Sequence, residues 1–427
     1  MKANKFKIRE PILCDARQDD TFSFSPDGQY IATLSSDASI QIRDCITLQP
    51  MTTIECPTNV DSFYWSPDSK LLLALMKTQN SLQIYFVEQT RYNENHLTVS
   101  YAGVSGGIVD TENILWSPDS RFILIFGYCV STLFVWDLEK KSIRKLPPPK
   151  NIQSAVSYSP DGKSLAILTR EYGKDSLVIL DSQTYKQKMS FILSTLDSAV
   201  VKWTANSKIV YVIDSISHHM LQMINTQTKT ICDHSAYDGF LGITEATACQ
   251  NSKIIAVGGY DDYVRLLIYN EINWSILTEF LHEPTFGHQP ITIYVENGDS
   301  FDERDSSISL KQTGESGITN IKWAIGNKLL ASTSAQTPSA LYIWNAETIS
   351  LVAVVVLMAP IIKFEWSPKD ESILMTSGSG FVALWNPTGI SMISSVDMMR
   401  VQDFAWRCDG KAFLMVDRDA GTIALAV

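Results

Sequence analysis

The sequence predicts an all-β protein in which many short strands form one ring of similar sheets. Three observations support this fold class. A turn motif recurs along the whole chain, strand-like apolar segments flank each copy, and no segment carries a long apolar pattern with the 3.6-residue period of a helix. The 427-residue chain is 45% hydrophobic and 19% charged, a composition typical of folded globular proteins.

The recurring motif is an aromatic residue followed by Ser-Pro-Asp-Gly or a close variant. Proline fixes φ at the first turn position, aspartate accepts hydrogen bonds from backbone amides, and glycine tolerates positive φ. The motif therefore predicts a tight hairpin turn. Five copies are clear and four are weaker. The clear copies begin at Phe24, Trp65, Trp116, Tyr158 and Trp366, and the weaker copies begin at Trp203, Ala248, Trp323 and Trp406.

The spacing of these copies identifies the type of sheet. Apart from one 75-residue gap between Ala248 and Trp323, successive copies are 40 to 51 residues apart. Each turn is followed by an apolar strand, a third strand that often ends in Trp-Asp or a relative, and a more polar fourth strand. Four short strands at this period are typical of a WD40 blade. Residues 1–427 are thus predicted to form a single WD40-type β-propeller with nine repeats, closing as eight or nine blades.

The ends of the chain predict how the ring closes. The last repeat stops after its third strand, at residues 422–427. We expect residues 4–14 to supply the missing outer strand, which would pair the two chain ends and leave no free sheet edge at that point.

The long gap holds an insertion at residues 284–317. Its middle is acidic, with a single basic residue, Arg304. The acidic residues are Glu296, Asp299, Asp302, Glu303 and Asp305. The sequence predicts an acidic loop between two blades, and it leaves open whether this loop is only solvated or acts as a recognition arm.

Charge and motif content argue against several functions. With 46 acidic and 35 basic residues the net charge is −11, which disfavours nucleic-acid binding. Seven scattered cysteines without a Cys-x-x-Cys pair suggest free thiols rather than disulfides or a zinc site. The longest apolar run, residues 351–362, contains Pro360 and is too short to span a bilayer. We therefore expect no membrane segment.

No catalytic or cofactor site is predicted. Residues 103–107 match Gly-x-Ser-x-Gly, but that motif needs a strand-to-helix turn, and here it falls between two blades. The six histidines lack metal-binding spacing, and the adjacent pair His218 and His219 would point to opposite faces of a strand. The expectation is a protein without enzyme activity, cofactor or small-molecule substrate.

Two features are candidate partner-binding sites. The first is a basic edge beside the prolines at 147–149, which is either a solvated outer strand or a docking site for an acidic partner. Its residues are Lys140, Lys141, Arg144, Lys145 and Lys150. The second is the unbroken apolar run around Val355 and Leu357. Such a run predicts burial on both faces, either by another segment of the same chain or by a partner protein.

One stretch is more specific than a generic propeller. Residues 256–261 read Ala-Val-Gly-Gly-Tyr-Asp, and Val264-Arg265-Leu266, Trp274 and Thr278-Glu279-Phe280 with His282 follow in order. This stretch, and the repeat layout of nearly the whole chain, resembles the WD repeat-containing protein eight family. The resemblance implies a non-catalytic protein of the cytoplasm and cytoskeleton, at spindle pole bodies and centrosomes, with a nuclear pool also conceivable. It implies as partners a coiled-coil microtubule-anchoring protein and, in fungi, a minus-end-directed kinesin-14 motor.

The chain departs from typical WD40 repeats in one respect. The Gly-His dipeptide occurs only once, at residues 287–288 inside the insertion, so the usual His-Asp hydrogen-bond networks are not expected. Asp37 and Asp262 occupy suitable turn positions, but each is predicted to lack its histidine.

Three functions are compared on this basis. The first is a scaffold that tethers microtubule minus ends. The second is a propeller similar to a translation initiation factor, associated with ribosomes. The third is a peptidase whose propeller gates a catalytic domain, which the chain is too short to contain.

Overall fold

A computed structural model describes residues 6–13, 22–35, 39–76, 81–87, 96–100, 114–126, 132–151, 154–236, 241–270, 273–286, 291–304, 309–396, 399–418 and 420–426. The described residues form 39 strands in nine sheets, so the prediction of an all-β propeller is confirmed and the ring has nine blades. This part of the chain contains no helix that could cross a membrane.

The chain begins with two short strands that belong to the last blade. They are β1 (Phe6–Ile8) and β2 (Ile12–Leu13). Blade 1 contains β3 (Phe22–Phe24), β4 (Tyr30–Leu34), β5 (Ser39–Asp44) and β6 (Pro50–Glu55). Blade 2 contains β7 (Ser62–Trp65), β8 (Leu71–Met76), β9 (Ser81–Phe86) and β10 (His96–Ser100). Blade 3 contains β11 (Ile114–Trp116), β12 (Phe122–Phe126), β13 (Leu133–Asp137) and β14 (Ser142–Leu146).

Blades 4 to 6 repeat this arrangement. Blade 4 contains β15 (Val156–Tyr158), β16 (Ser164–Glu171), β17 (Lys174–Asp181) and β18 (Gln187–Ile192). Blade 5 contains β19 (Val200–Trp203), β20 (Ile209–Ile213), β21 (Leu221–Asn225) and β22 (Thr230–His234). Blade 6 contains β23 (Ile243–Ala248), β24 (Ile254–Gly259), β25 (Tyr263–Tyr269) and β26 (Trp274–Leu281).

The last three blades include the two departures from the repeat. Blade 7 contains β27 (Thr292–Asn297), β28 (Ser300–Arg304), β29 (Ile318–Trp323), β30 (Leu329–Ser334), β31 (Ala340–Asn345) and β32 (Ser350–Val356). Blade 8 contains β33 (Lys363–Trp366), β34 (Ile373–Thr376), β35 (Phe381–Asn386) and β36 (Gly389–Ser394). Blade 9 contains β37 (Asp403–Trp406), β38 (Ala412–Val416) and β39 (Ala420–Ala426).

Each four-stranded blade is an antiparallel meander whose strands pair in chain order. One cavity of about 760 Å³ is bordered by the innermost strands of blades 1, 6, 7, 8 and 9, which are β3, β23, β29, β33 and β37. These strands therefore line the centre of the ring. The apolar core lies between blades, because each sheet buries both of its faces against its neighbours. The second and third strands are almost entirely buried, as the all-buried pattern of β20 illustrates.

The recurring turn has the chemistry that its sequence predicts. In blade 1 the Ser25 hydroxyl donates to Asp27 Oδ1 at 2.6 Å and accepts from the amide of Tyr30 at 2.9 Å. Gly28 at the last turn position has φ of +71° and packs against blade 9. An added Cβ there would lie 2.9 Å from Arg407 Cγ and Cys408 Sγ, so this position requires glycine for both reasons.

In four blades the tryptophan of the motif ties the blade to the one before it. Its indole N–H donates to a backbone carbonyl of the innermost strand of the preceding blade, whereas the Nε1 atoms of Trp65 and Trp116 have no acceptor among the described residues. The pairs are Trp203 to Ser157 at 3.0 Å, Trp323 to Thr247 at 3.1 Å, Trp366 to Lys322 at 2.8 Å and Trp406 to Glu365 at 3.3 Å. Tryptophan at this position therefore adds a hydrogen bond between blades to its apolar burial.

The ring closes as predicted by pairing the two ends of the chain. β1 runs antiparallel to β39, with Phe6 opposite Ala426, and β2 pairs with the start of β39, with Ile12 opposite Gly421. The Phe6 ring meets Phe413 edge-on at 5.1 Å. The N-terminal segment thus supplies the outer strand of blade 9.

The insertion differs from the predicted acidic loop. Residues 292–304 form an antiparallel hairpin, and β27 pairs in parallel with β32, so that blade 7 has six strands. Residues 292–295 read Thr-Ile-Tyr-Val, a β-branched and aromatic run that suits a strand. Of the acidic residues that suggested a loop, Asp299 and Glu303 are exposed on this hairpin, whereas Glu296 and Asp302 are half-buried.

Candidate protein-interaction surface

In each blade, the loop between the second and third strands lies at the same end of the sheet as the connection to the next blade. We call this end of the ring the upper face. Long loops and hairpin tips on a rigid scaffold are frequent sites of binding. Two hairpin tips and two blade-to-blade connections of blades 4 to 6 present apolar side chains on this face.

Blade 4 has a hairpin that places Tyr172 at the upper face. Tyr172 and Gly173 form the two-residue turn between β16 and β17, with φ of +50° and +77°. Such a turn favours asparagine and glycine, and a left-handed conformation costs a bulky residue about 1–2 kcal/mol. The Tyr172 side chain is fully exposed, so neither burial nor backbone preference explains a tyrosine here.

A buried carboxylate anchors the base of this hairpin. Asp175 accepts hydrogen bonds from Lys150 Nζ at 2.6 Å and from Arg170 Nε at 2.7 Å. The amide and hydroxyl of Ser198 also donate to it, at 2.6 and 2.7 Å. Burial alone would raise the pKa of Asp175, but these donors outweigh burial and lower it. The network fixes the hairpin to the connection between blades 4 and 5.

Three further apolar side chains continue from this hairpin along the upper face. Leu196, Ile216 and Leu241 are exposed by 69%, 68% and 51%. With Tyr172 they form what we call the upper apolar patch. None of the four is adjacent in sequence to another, so the patch is produced by the fold alone.

Hydrogen bonds link the backbones that carry the patch. Arg170 donates to the carbonyl of Leu196 at 3.0 Å, and the amide of Leu196 donates to Asp214 at 2.9 Å. The amide of Gly242 donates to the carbonyl of Ile216 at 2.7 Å. These bonds connect blades 4, 5 and 6 at the upper face. The apolar side chains therefore project from a rigid surface, which is typical of a binding site.

The predicted basic edge is exposed but does not form one face. Lys140 and Lys141 lie in the turn before β14, while Arg144 and Lys145 are neighbours within that strand. Successive strand residues point to opposite faces, so Arg144 and Lys145 diverge. Arg144 donates to the carbonyl of Thr184 in blade 4 at 3.1 Å. These residues therefore remain a predicted docking edge that follows the exposed outer strand of blade 3 and not one of its faces.

The apolar run is buried by the protein's own chain. Val355 is fully buried, and Leu357 is 3% exposed. Val355 lies between β31, where it is opposite Leu341, and β27, where it is opposite Tyr294. This favours burial by another segment of the same chain over burial by a partner, and neither residue is accessible for binding.

A buried histidine completes a network that the sequence was not expected to contain. His282 Nδ1 lies 3.1 Å from the carbonyl of Asp262, and its Nε2 lies 2.8 Å from the hydroxyl of Ser332. That hydroxyl also accepts from Trp344 Nε1 at 2.9 Å. Because a carbonyl only accepts, Nδ1 carries the proton. The chain of donors then runs from Trp344 through Ser332 and His282 to Asp262.

His282 meets the backbone carbonyl of Asp262 and not its carboxylate, so among the described residues the Asp262 side chain lacks a histidine partner, as predicted. His282 itself follows β26, and Leu281 stands where typical repeats have glycine. Burial lowers the pKa of His282 to about 3, so the ring is neutral at physiological pH. Asp262 itself accepts from the amide of Gly317 at 2.8 Å and from the hydroxyl of Ser334 at 2.6 Å.

The remaining candidate residues do not assemble into a metal or catalytic site. Residues 103–107 and Asp37 lie outside the described residues. His218 and His219 lie in a connection rather than a strand, where His218 contacts Asp214 at 2.9 Å and His219 Nδ1 accepts from the amide of Ala236 at 3.2 Å. Across the described ranges, no group of three His, Cys, Asp or Glu side chains could hold a metal ion.

Nine blades, inter-blade tryptophans and a buried His-Ser-Trp chain define a WD40-type β-propeller fold. No model of a known protein family matches the chain. It is 26% identical over 435 residues to the mouse WD repeat-containing protein WRAP73, covering 93% of this chain and 91% of the mouse protein. It is 19% identical over 378 residues to the uncharacterized Schizosaccharomyces pombe WD repeat-containing protein C32H8.09, covering 83% and 75% of the two chains.

Solved structures agree in fold. The C-terminal WD40 domain of Sif2 superposes with a TM-score of 0.52 at 14% identity, covering 86% of this chain and 95% of that domain. Chaetomium thermophilum Sqt1, solved with the N-terminus of ribosomal protein L10, gives a TM-score of 0.53 at 11% identity, covering 97% and 98%. At these identities the similarity shows the fold alone.

Proposed function

We propose that the protein is a non-catalytic scaffold at the spindle pole body or centrosome that helps to tether microtubule minus ends. It would bind a coiled-coil microtubule-anchoring protein and, with it, a minus-end-directed kinesin-14 motor. The resemblance to the WD repeat-containing protein eight family and the nearly full-length similarity to mouse WRAP73 support this proposal. The upper apolar patch is the observation that carries it, because it offers a rigid surface for a protein partner.

The shape and surroundings of the patch suit an amphipathic helix. Its four side chains are distributed over three blades, and a helix binds such a surface through apolar residues spaced by three or four positions. Arg170 and Asp197 border the patch and provide charges of both signs. Helices of coiled coils carry charged residues beside their apolar seam, so a segment of this type would match both features.

The test is affinity purification of the full chain from dividing cells, with the captured proteins identified by mass spectrometry. Wild-type protein should recover a coiled-coil spindle-pole protein and a kinesin-14. The double variant Leu196→Ser, Ile216→Ser should lose most of both. Both side chains are exposed, so the variant should still fold. Ile231→Ser removes an exposed apolar residue from the outer strand β22 and serves as the matched control.

Tyr172→Asn sharpens this test. Asparagine suits the left-handed turn better than tyrosine, so the variant should be at least as stable as wild type while binding its partner about tenfold more weakly. Full recovery of both partners by the patch variants would contradict the assignment of the surface. Recovery of ribosomal subunits and initiation factors in place of spindle-pole proteins would replace the anchoring function with a role in translation.

A further inference from the structure

A second cavity lies where the ring closes. It has a volume of about 820 Å³ and is bordered by the segment that carries β1 and β2 and by β4 and β5 of blade 1. Among the described residues, its lining is mostly polar and includes Lys7, Arg9 and Arg43, against a single acidic residue, Glu10. In a chain of net charge −11, a cavity lined by three cations and one carboxylate is a local reversal of charge.

The strand pattern explains why these cations face one another. Phe6 and Ile8 pack into the apolar core of blades 8 and 9. Side chains alternate along a strand, so Lys7 and Arg9 point away from that core and toward blade 1. On blade 1, Gln41 and Arg43 are two positions apart in β5 and share the opposite wall.

Neither arginine has a carboxylate partner among the described residues. Arg9 makes no side-chain hydrogen bond there, and its Nε is buried without an acceptor. Arg43 donates to the carbonyl of Leu48 at 3.2 Å and to Gln41 Oε1 at 2.6 Å, while its Nε is also buried without an acceptor. Burying donors of a charged group without partners is unfavourable.

Three other arginines that are partly or largely buried do have carboxylate partners. Each contacts a carboxylate within 3.0 Å. The pairs are Arg121 with Asp137, Arg265 with Asp261 and Arg407 with Asp409. The two guanidinium groups at the ring closure therefore stand out as donors for which no described residue supplies a carboxylate.

We propose that this cavity binds a phosphate group, as a phosphomonoester dianion. Guanidinium groups match phosphate oxygens with paired donors, and Lys7 adds a further positive charge. The hydroxyl of Ser35 lines the same cavity and provides a neutral donor, whereas the hydroxyls of Thr33 and Thr47 donate to Gln41 and Asp44. The volume exceeds that of inorganic phosphate, which leaves room for the group that carries the phosphate. This inference is independent of the proposed anchoring function.

The ligand would contact both the N-terminal segment and blade 1. It would therefore stabilise the closed ring in proportion to its concentration relative to its dissociation constant. A phosphomonoester gains its second negative charge near pH 6, so binding should strengthen as the pH rises through that value.

The test is isothermal titration calorimetry on the full chain. The probes are inorganic phosphate, O-phosphoserine and an end-blocked Ala-phosphoserine-Ala tripeptide with its unphosphorylated form. Phosphorylated probes should bind, and Arg9→Gln should weaken binding at least tenfold. Arg43→Gln should do the same, and Arg9→Gln keeps the test valid if loss of the Arg43 contact to Leu48 harms folding. Arg144→Gln removes an exposed arginine of blade 3 and should leave binding unchanged.

The probes also distinguish the source of the phosphate. Tighter binding of the phosphorylated tripeptide than of inorganic phosphate would support a phosphorylated protein segment as the ligand. Equal binding of both would support free phosphate or a small phosphate ester. Absence of binding by every phosphorylated probe, or binding that Arg9→Gln leaves unchanged, would overturn the proposal.

Discussion

Two junctions between blades differ in how their buried polar groups are hydrogen-bonded. They are the junction between blades 6 and 7 and the junction between blades 9 and 1. At the first, Phe280 stacks on Trp344 at 4.6 Å, and His282 is fully enclosed with both ring nitrogens hydrogen-bonded. At the second, a polar cavity separates the N-terminal segment from blade 1, and the Nε atoms of Arg9 and Arg43 have no acceptor there. One junction satisfies its polar groups internally, whereas the other keeps donors free for a ligand.

In this fold, a junction with paired polar groups contributes stability, whereas a junction with unpaired donors is suited to binding a ligand. A buried polar group strengthens a junction only when each of its donors and acceptors is paired. The junction of blades 6 and 7 meets that condition, so changes there should be costly. The ring closure does not meet it, so loss of an unpaired donor there should cost little. Four experiments test this contrast.

The largest expected effect is a pH dependence that arises at the junction of blades 6 and 7. The pKa of His282 is lowered to about 3, whereas an unfolded histidine has a pKa of about 6.5. Between these values the unfolded state binds a proton that the folded state does not, so stability falls as the pH falls. From pH 6.5 to 4 this residue should account for a loss of about 3 kcal/mol.

Urea unfolding at a series of pH values measures this loss. The free energy of unfolding of His282→Gln should vary less steeply with pH than that of wild type over the same range. His218→Gln removes a half-exposed histidine and controls for loss of an imidazole. Equal slopes for wild type and His282→Gln would mean that the folded protein accommodates the proton.

The second experiment breaks the donor chain at its start. Trp344→Phe removes the N–H that donates to Ser332, whereas Trp136→Phe changes the corresponding tryptophan of blade 3, whose Nε1 has no acceptor among the described residues. Both changes shrink the ring by the same atoms. Trp344→Phe should therefore lower the free energy of unfolding by about 1–2 kcal/mol more than the control. Equal losses would assign the whole effect to ring size.

The third experiment concerns the tight contact at the ring closure. Gly28→Ala places a Cβ 2.9 Å from the Arg407 side chain at a φ of +71°, while Gly173→Ala adds one at +77° with no atom within 4 Å. The positive φ alone should cost about 1 kcal/mol in both variants. Any loss beyond that in Gly28→Ala measures the steric contact, and we expect about 1 kcal/mol more. Equal losses in Gly28→Ala and Gly173→Ala would show that the Arg407 and Cys408 side chains move aside without cost.

The smallest effect should come from the cavity itself. Arg9→Gln removes a guanidinium that has no partner in the described structure, so without ligand it should change the free energy of unfolding by less than about 0.5 kcal/mol. Thermal unfolding in phosphate-free buffer tests this expectation. A loss above 1 kcal/mol would show that Arg9 supports the closed ring directly.

Much of the architecture could be predicted from local sequence. The turn at Ser25 and its copies needs specific residues at fixed spacing, so it is visible without the fold. The same holds for the closing strand, because a last blade without an outer strand needs one. The hairpin around Thr292 was missed because the acidic residues beside it suggested a loop, although its own residues favour a strand.

The candidate sites could not be predicted in this way. Tyr172 belongs to a hairpin that looks like any other, and its exposure and positive φ become visible only in three dimensions. Arg9 and Arg43 meet because the ring closes, and nothing near either residue indicates the other.

The closing strand also has a consequence for the order of events during synthesis. The hydroxyl of Thr422 donates to the carbonyl of Arg9 at 2.7 Å, across 413 residues of chain. At ribosomal rates of about 5–20 residues per second, the segment that carries Arg9 waits roughly 20–80 seconds for the strand it pairs with. During that time blade 1 has no neighbour on one side, and the phosphate cavity does not exist. Only a finished ring would therefore bind a ligand in this cavity, so ligand binding would distinguish finished rings from nascent chains.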